Sequence, residues 1–480
     1  MSITNKITLT VITMFSLTTQ VSAAAIDVAS GALTMSDVIS GAGPLRKTGP
    51  GTLILSGTNT FTNGVEINGG TLQVSGTTAD LGAANAPVVF STGGSASTLV
   101  TTGTRTLASV TKTAAATFSP ASSATLTLTA LTGTAGLTMA GAGTLFMPAT
   151  VPAGAISLTG GTINFSGSTT ITPEVTFTSG TPTLIGGTTT IASVVKNAAA
   201  IIDVGSGLST TLTTLAGTST LAKTGTGTLI MPASVPSGAI DVGAGTLRFP
   251  TGASVTPEVT CSGAAILMGG TLTLPSVVKT AATTLNVLTG ATLTLTALTG
   301  TATLAKTGAG TLAMPASVPD GAIDVGGGTI NFTATTTAIP VITCSSASTV
   351  STATSRTIAS LVNTAGATLT PTAGATLTVT SLTGAAGMTV SGGSSTSIVS
   401  VASALPAGGG NITVTGGVLR LPDTTTTGSG AVTINNGAIL DCATNTVLLA
   451  DRFPSGTLTL RAGAILKSGA GTFTKDIILG

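Results

Sequence analysis

Side chains that could perform acid-base, nucleophilic or metal chemistry are few in this chain. There are 14 Asp and Glu residues among 480, and there is no His. Without histidine the chain cannot build a Ser-His-Asp or Cys-His site, and the usual zinc motifs are excluded. A glycosidase needs two carboxyl groups about 5 to 10 Å apart. The spaced carboxylates Glu66, Asp241 and Asp324, like Glu174 and Glu258, recur at equivalent repeat positions that are too far apart for that reaction.

We therefore predict that the chain is not an enzyme and has no catalytic residue, no metal site and no cofactor. The carboxylates are interpreted as outward charges on Thr-rich strands that keep the protein soluble, with weak cation binding as an alternative. No Gly-rich segment precedes a helical pattern, so a nucleotide-binding loop is not indicated.

Three cysteines, Cys261, Cys344 and Cys442, leave an odd number of thiols, which suggests a free thiol or an intermolecular bridge. Cys261 and Cys344 follow "PEVT" and "PVIT", where Phe177 stands in an earlier copy. A position that accepts Phe or Cys predicts an apolar interior site; a disulfide or redox role is the alternative. About four coils would separate Cys261 from Cys344, beyond the reach of about 7 Å that a disulfide allows.

Lysines recur in a second pattern. Lys112, Lys196 and Lys279 follow "SVT" or "SVV", and Asn363 takes the fourth place. We predict a row of solvated surface charge, with a basic ladder that contacts acidic glycans as the alternative. The net charge is only +2 and no basic cluster exceeds Arg46-Lys47. Because nucleic-acid binding needs several Lys or Arg contacts, nucleic acid is not expected as a partner.

The elements that carry these residues read as short strands. The chain is 42% apolar and only 6% charged, with 64 glycines and no Trp or Tyr. Apolar residues alternate with Thr, Ser, Asn or Gly in runs of about five to eight residues that end at Gly, Pro or Ser. No stretch keeps a helical period. Stacked short strands with few aromatic residues favour a parallel β-helix over a barrel or a propeller. No composition break divides residues 24–480, so one domain is predicted.

Internal repeats support a solenoid. Three similar segments begin at positions 140, 224 and 307, at nearly equal intervals, and a degraded fourth begins at Ser391. Duplicated units of about 84 residues are predicted near 106–189, 190–272, 273–356 and 357–450. The more charged segment 451–480 is a candidate C-terminal cap, since the end of a solenoid must be covered.

The amino terminus predicts export. Residues 1–23 combine Lys6, a moderately apolar stretch and a small-residue site that ends at Ala23, as in a signal peptide. No later segment approaches the roughly 18 consecutive apolar residues of a membrane span, so no transmembrane segment is expected.

One stretch resembles a known family. Residues 45–76, "LRKTGPGTLILSGTNTFTNGVEINGGTLQVSG", are similar to the β-strand repeat of autotransporter passenger domains. Later copies keep "KTGxGTL" at Lys223 and Lys306. The resemblance implies a right-handed β-helix on the surface of, or released by, a Gram-negative-type bacterium. Such proteins carry a C-terminal translocator barrel. The passenger pattern runs to Gly480, so we expect either a passenger fragment or a truncated gene, whose translocator is not encoded in this sequence, or another export route.

The function predicted first is that of a secreted or cell-surface structural protein, adhesin-like, that acts through repetitive surfaces in adhesion, self-association or a surface layer. Its partners would be glycans or proteins of a host or neighbouring cell, or the protein itself. One alternative is an enzyme that acts on a polysaccharide. Another is ice or other surface binding through Thr arrays such as "TLTLT" at 125 and 292; their recurrence once per large unit, and not visibly once per coil, weighs against a lattice match.

Overall fold

A computed structural model describes residues 24–74, 81–83, 85–93, 96–333, 339–403, 410–421, 430–442, 457–468 and 477–480. The chain divides into two compact units, Met1–Gly238 and Ala239–Gly480. The described residues of both units form strands and turns without a helix. The predicted signal peptide, residues 1–23, lies outside the described residues.

The first unit contains 26 described strands. In chain order, β1 to β26 span Ala24–Asp27, Ala32–Met35, Leu45–Thr48, Thr52–Leu55, Val65–Asn68, Gly70–Val74, Val88–Phe90, Ser97–Thr101, Arg105–Leu107, Val110–Lys112, Ala116–Pro120, Thr125–Leu128, Leu131–Thr132, Leu137–Met139, Thr144–Phe146, Ile156–Leu158, Thr162–Asn164, Thr170–Phe177, Thr183–Gly186, Thr189–Lys196, Ala200–Val204, Ser209–Leu212, Leu215–Ala216, Leu221–Thr224, Thr228–Ile230 and Ser234–Val235.

The second unit contains the remaining described strands. In chain order, β27 to β55 span Ile240–Val242, Gly245–Phe249, Ser254–Val255, Glu258–Cys261, Ala265–Gly269, Leu272–Leu274, Ser276–Lys279, Thr283–Val287, Thr292–Leu295, Leu298–Thr299, Leu304–Thr307, Thr311–Met314, Ile323–Val325, Gly328–Phe332, Ile339–Cys344, Ser348–Thr352, Arg356–Asn363, Ala367–Pro371, Thr376–Val379, Leu382–Thr383, Met388–Ser391, Ile398–Val401, Ile412–Gly416, Val418–Arg420, Val432–Ile434, Ile439–Cys442, Leu458–Leu460, Ile465–Ser468 and Ile477–Leu479.

Strands from successive turns pair in parallel in three sheets of the first unit. Sheet A contains β1, β3, β5, β7, β10 and β13. Sheet B runs from β2 through β4, β6, β8, β11, β14, β16 and β18 to β20, and it continues from β20 to β22, β23 and β25. Sheet C contains β9, β12, β15, β17, β19, β21 and β24. In sheet A, Leu45 lies beside Val65 and Val65 beside Val88. The number of residues in one turn is therefore close to about 20, the lower limit for the repeats of solenoid proteins.

The second unit repeats this arrangement. Sheet D contains β27, β30, β33 and β36. Sheet E runs through β28, β31, β34, β37, β39, β41, β43, β45, β48, β50, β52 and β54. Sheet F runs through β29, β32, β35, β38, β40, β42, β44, β47, β49, β51, β53 and β55. The predicted parallel β-solenoid is confirmed, while its right hand stays a prediction.

The core of each unit is a stack of inward side chains. In sheet B, Leu53, Leu72 and Leu99 are register neighbours on three successive turns, and none is exposed. Full burial of one such side chain contributes about 1.5–3 kcal/mol. The residues between them, such as Thr52 and Thr71, face outward. This period-two alternation, read from the sequence, is what gives each strand one apolar face.

The large sequence repeat does not equal a whole number of turns. Lys112 and Lys196 are equivalent residues of successive copies, yet Lys112 belongs to sheet A and Lys196 to sheet B. In the second unit, Lys279 lies in sheet D, and its equivalent in the next copy, Asn363, lies in sheet E. Equivalent residues of the repeat therefore do not form one column along a sheet. The repeat as a structural unit, and the single domain over 24–480, stay predictions.

The segment predicted as a C-terminal cap is described only in part, because residues 451–456 and 469–476 lie outside the described residues. Its described remainder forms β53, β54 and β55, which extend sheets E and F by parallel pairing. The cap therefore stays a prediction.

Candidate functional site

The carboxylates lie on the outside of the strands. Glu174 and Glu258 are exposed, and each accepts a hydrogen bond from a serine on the next turn, from Ser193 at 3.4 Å and Ser276 at 3.0 Å. Glu66 is half-buried and forms an ion pair of 3.3 Å with Arg46. Asp241 and Asp324 are half-buried, on β27 and β39. Among the described residues, no group of three or more Cys, Asp or Glu side chains could hold a metal ion.

The lysines contradict the prediction of a solvated surface row. Lys112 and Lys279 are each 2% exposed, and Lys196 is fully buried. Lys112 and Lys196, which belong to the same unit, also lie on different sheets, so these two do not form one row of charge or one basic ladder. The physical reason is the strand period: each lysine comes two residues after an inward valine, and position i+2 of a strand returns to the same face.

These lysines bind the backbone of the following turn. The Nζ atoms of Lys112, Lys196 and Lys279 donate to the carbonyl oxygens of Ala135, Ser219 and Ala302, at 2.7, 2.9 and 2.7 Å. The sequence separation between donor and acceptor is the same in all three pairs. A buried carbonyl needs a donor, and these ammonium groups supply one inside the solenoid.

Asn363 replaces lysine in this role. Its Nδ2 donates to the carbonyls of Ala386 and Gly387 at 3.0 Å each, and its Oδ1 accepts from the Gly366 amide at 3.0 Å. Asn363 is also buried, at 2% exposure. An uncharged amide therefore satisfies the same part of the turn, which identifies backbone carbonyls, not an external anion, as the ligands of these positions.

A second set of interior lysines belongs to the "KTGxGTL" segments. Lys47, Lys223 and Lys306 are fully buried. The Lys47 ammonium donates to the carbonyls of Thr48, Gly49 and Gly69, at 2.8, 2.7 and 3.0 Å. Because Gly69 is on the next turn, one side chain joins two successive corners of the solenoid. We name each group of carbonyl oxygens around such an ammonium a carbonyl cage.

The other two members of this set bind carbonyls at equivalent positions of their own corners. The Lys306 ammonium donates to the carbonyls of Thr307, Gly308 and Gly327 at 3.2, 2.5 and 2.8 Å. Lys223 donates to Thr224 and Gly225 at 2.8 and 2.6 Å. Both lysines belong to the recurring "KTGxGTL" segment, which by itself predicts no role for them. Lys223 and Lys306 each follow an inward leucine, Leu221 and Leu304, by two residues, and this spacing could have predicted their burial.

Burial disfavours the charged form of these lysines. Desolvation lowers the pKa of Lys306 to about 8, and it lowers the pKa of Lys223 to about 8 against the opposing charge of Asp203. An unfolded lysine has a pKa of about 10.4. Between these values the unfolded chain binds more protons than the folded chain, so each lysine makes the free energy of unfolding rise with pH.

A pH-dependent difference between the wild type and Lys306→Met follows. Lys306 increases the free energy of unfolding of the wild type as the pH rises above about 8, and the variant lacks this contribution. We therefore expect the free energy of unfolding of the variant to fall further below that of the wild type, by on the order of 1 kcal/mol between pH 7.5 and 9.5. Urea unfolding followed by far-UV circular dichroism measures this. The buried thiols make the free energy of unfolding fall with pH, but they are present in both proteins, so their contribution cancels in the difference between the wild type and the variant. A deficit that shrinks with pH would contradict the lowered pKa.

The cysteines are interior residues, as predicted for Cys261 and Cys344. Cys261, Cys344 and Cys442 are free thiols and fully buried. Burial raises the pKa of the Cys261 thiol to about 11 and also raises that of Cys344. In sheet D, Cys261 is the register neighbour of Lys279, and in sheet E, Cys344 is the neighbour of Asn363. The two sites thus share one local arrangement.

Thiol reactivity provides a direct check on this burial. Because the thiolate is the reactive form and access is blocked, we expect native protein to be unreactive toward Ellman's reagent at pH 8. In urea the same sample should release three equivalents, one for each free cysteine. Rapid labelling of the native protein would show that the turns around these residues open easily.

The fold and the interior lysines together define a class: an all-β, parallel solenoid whose turns are joined at the corners by buried ammonium groups. Residues 45–74 and 221–249 match the family model of the passenger-associated-transport-repeat. These segments contain Lys47 and Lys223, and the resemblance of residues 45–76 to the autotransporter passenger repeat is thereby confirmed. No curated protein and no solved structure matches the chain. Within the described ranges, no helix has the length and hydropathy needed to cross a membrane.

The matched repeat also contains a buried polar corner. The Asn59 side chain is 3% exposed, and its Oδ1 accepts a hydrogen bond of 2.8 Å from the Ile39 amide on the preceding turn. Phe61 is buried two residues later. The "TNTF" part of the repeat is therefore a structural corner that joins adjacent turns.

Proposed function

We propose that the chain is a non-enzymatic passenger protein that is exported and acts at the surface of a Gram-negative-type bacterium, or after release from it, through its repetitive outer faces. The observation that carries this proposal is the passenger-associated-transport-repeat at residues 45–74 and 221–249, set in a parallel β-solenoid. A signal peptide over residues 1–23 and export through an outer-membrane translocator belong to the same proposal.

The composition of the outer surface favours binding through many weak contacts and not through one strong site. Outward positions of the described strands are filled mainly by Thr and Ser, and the carboxylates among the described residues are distributed over many turns. Linked weak contacts can reach a high avidity when the geometry allows simultaneous engagement. We propose that the partners are glycans or proteins of a host or neighbouring cell, or other copies of this chain, in adhesion or self-association.

A deletion of residues 280–363 tests this mechanism. The Thr364 amide donates to the Cys344 carbonyl, as the Thr280 amide donates to the Cys261 carbonyl, at 3.2 and 3.1 Å. Joining Lys279 to Thr364 therefore preserves the neighbours of the junction while it removes one full copy of the large repeat. We expect beads coated with residues 24–480 to adhere to cells or to one another, and beads with the deletion variant to adhere more weakly, in proportion to the length lost.

The controls separate the possible failures. Circular dichroism must show that the deletion variant keeps its β-structure, and beads coated with an unrelated β-solenoid set the background. All-or-none loss of adhesion would point to one discrete site inside residues 280–363. Adhesion no greater than background for the wild type would overturn the proposed function, and so would release of sugars from a polysaccharide by the purified protein.

A further inference from the structure

A column of threonines runs along the outside of sheet F. Nine threonines on successive strands are register neighbours of one another. They are Thr292, Thr311, Thr329, Thr349, Thr368, Thr389, Thr413, Thr433 and Thr459. All are half-buried or exposed, while their neighbours in the strand point into the core. Threonine thus recurs once per turn here, in contrast to the sequence-based expectation of once per large unit.

This column has an unusual chemical setting. None of the twelve strands of sheet F contains Asp, Glu, Lys or Arg. Sheet E of the same unit, by comparison, contains Arg248, Asp324 and Asp441 among its charged residues. In the part of the chain that the structure describes, the hydroxyls of Thr349 and Thr368 make no hydrogen bond with protein atoms. The strands of sheet F therefore present uncharged hydroxyl and methyl groups on this face, and the hydroxyls of Thr349 and Thr368 are available to solvent.

The threonines also border a long groove. An open groove of about 450 Å³ crosses four turns, with Thr329, Thr349, Thr368 and Thr389 along it. Its remaining lining includes Gly328, Ala347, Gly366 and Gly387, so no long side chain projects into it. Because β-branching restricts the rotamers of threonine, successive hydroxyls and methyls can repeat the same orientation.

The spacing of the column suits a water lattice. Neighbouring strands stack about 4.8 Å apart. In a tetrahedral lattice with hydrogen-bonded oxygens about 2.75 Å apart, second-neighbour oxygens are about 4.5 Å apart. The difference of about 0.3 Å per turn keeps four consecutive threonines within about 1 Å of the lattice positions. The groove spans four turns of this kind.

We propose that the threonine column of sheet F binds ice, by holding ordered water on its hydroxyls and methyls. A protein partner fits less well: a face of nine strands and about 10 Å in width offers about 400 Å² per side, half of what a stable interface buries. A carbohydrate partner fits less well, since the face has no Trp or Tyr on which a sugar ring could stack. This binding activity is separate from the proposed adhesive function.

Ice partition tests the proposal with residues 24–480. Slow freezing of a dilute solution on a cold probe should concentrate the wild-type protein in the ice relative to a protein that does not bind ice. The double variant Thr349→Lys, Thr368→Lys places two long charged side chains in the middle of the column. We expect its ice-bound fraction to fall to the background value and its effect on ice-crystal shape to disappear.

A matched control uses the same substitution elsewhere. Thr343 is half-buried and outward on sheet E, and Thr343→Lys should leave the ice-bound fraction unchanged. Far-UV circular dichroism and thermal melting must show that both variants remain folded. Thr368→Val, which keeps the shape, provides a variant without new charge and should lower the bound fraction. Exclusion of the folded wild type from ice would overturn the proposal. A fall of the ice-bound fraction in Thr343→Lys as large as that in the double variant would also overturn it. Binding to a crystalline polysaccharide that the double variant loses, without ice binding, would also overturn it.

Discussion

Replacing Lys306 by methionine should lower the free energy of unfolding by about 2–4 kcal/mol at neutral pH. Methionine keeps most of the volume of the lysine stem but cannot donate to the carbonyls of Thr307, Gly308 and Gly327. A buried acceptor that loses its donor costs about 1–3 kcal/mol. The variant regains part of this loss, because it no longer buries a charge. The measurement is the urea midpoint of the β-sheet circular dichroism signal.

The control for this prediction is Lys467→Met. Lys467 is exposed on β54 of the same sheet E, so the identical substitution there should change stability by less than about 0.5 kcal/mol. Equal effects at the two positions would show that the carbonyl cage adds nothing to stability. A more stable Lys306→Met protein would mean that the desolvation of the ammonium outweighs its three hydrogen bonds.

The interior lysines show what the sequence could and could not predict. Strand alternation was sufficient to place Leu45 and Leu53 in the core, and the same alternation puts Lys47 inside, two residues after Leu45. Lysine was nevertheless expected at the surface because it is rarely buried without a partner. The partner here is backbone, and carbonyl oxygens carry no sequence signal. The position of a carbonyl cage therefore cannot be predicted from the sequence, because it depends on which corners of two successive turns lie side by side.

The threonine column was hidden for a different reason. The interval between register neighbours is not constant: it is short between Thr311 and Thr329 and clearly longer between Thr433 and Thr459. A search at a fixed period finds the large duplication instead, and that period moves equivalent residues to a different sheet. Threonines from unrelated places in the repeat thus meet on one face. The burial of Cys261 and Cys344, in contrast, was predictable because Phe177 marked the same position as apolar.

Replacing Gly308 by alanine should destabilise the second unit by about 3 kcal/mol or more. Two causes contribute, the left-handed backbone conformation and the contact of the new Cβ with the neighbouring turn, and Gly290→Ala measures the first of them alone. Both glycines have a positive φ, 77° for Gly308 and 73° for Gly290. A left-handed conformation costs a non-glycine residue about 1–2 kcal/mol. A Cβ at Gly290 would meet no atom within 4 Å, whereas one at Gly308 would meet the Val287 carbonyl oxygen.

The neighbouring turn cannot avoid this contact cheaply. The Val287 carbonyl accepts a hydrogen bond from the Gly310 amide at 3.1 Å, and the Gly308 carbonyl is itself a ligand of the Lys306 ammonium. Moving either strand apart would weaken the ladder and the carbonyl cage together. We therefore expect Gly290→Ala to lower the urea midpoint slightly and Gly308→Ala to lower it by at least twice as much. Equal shifts would mean that only the backbone conformation, and not the close approach of two turns, requires glycine after Lys-Thr.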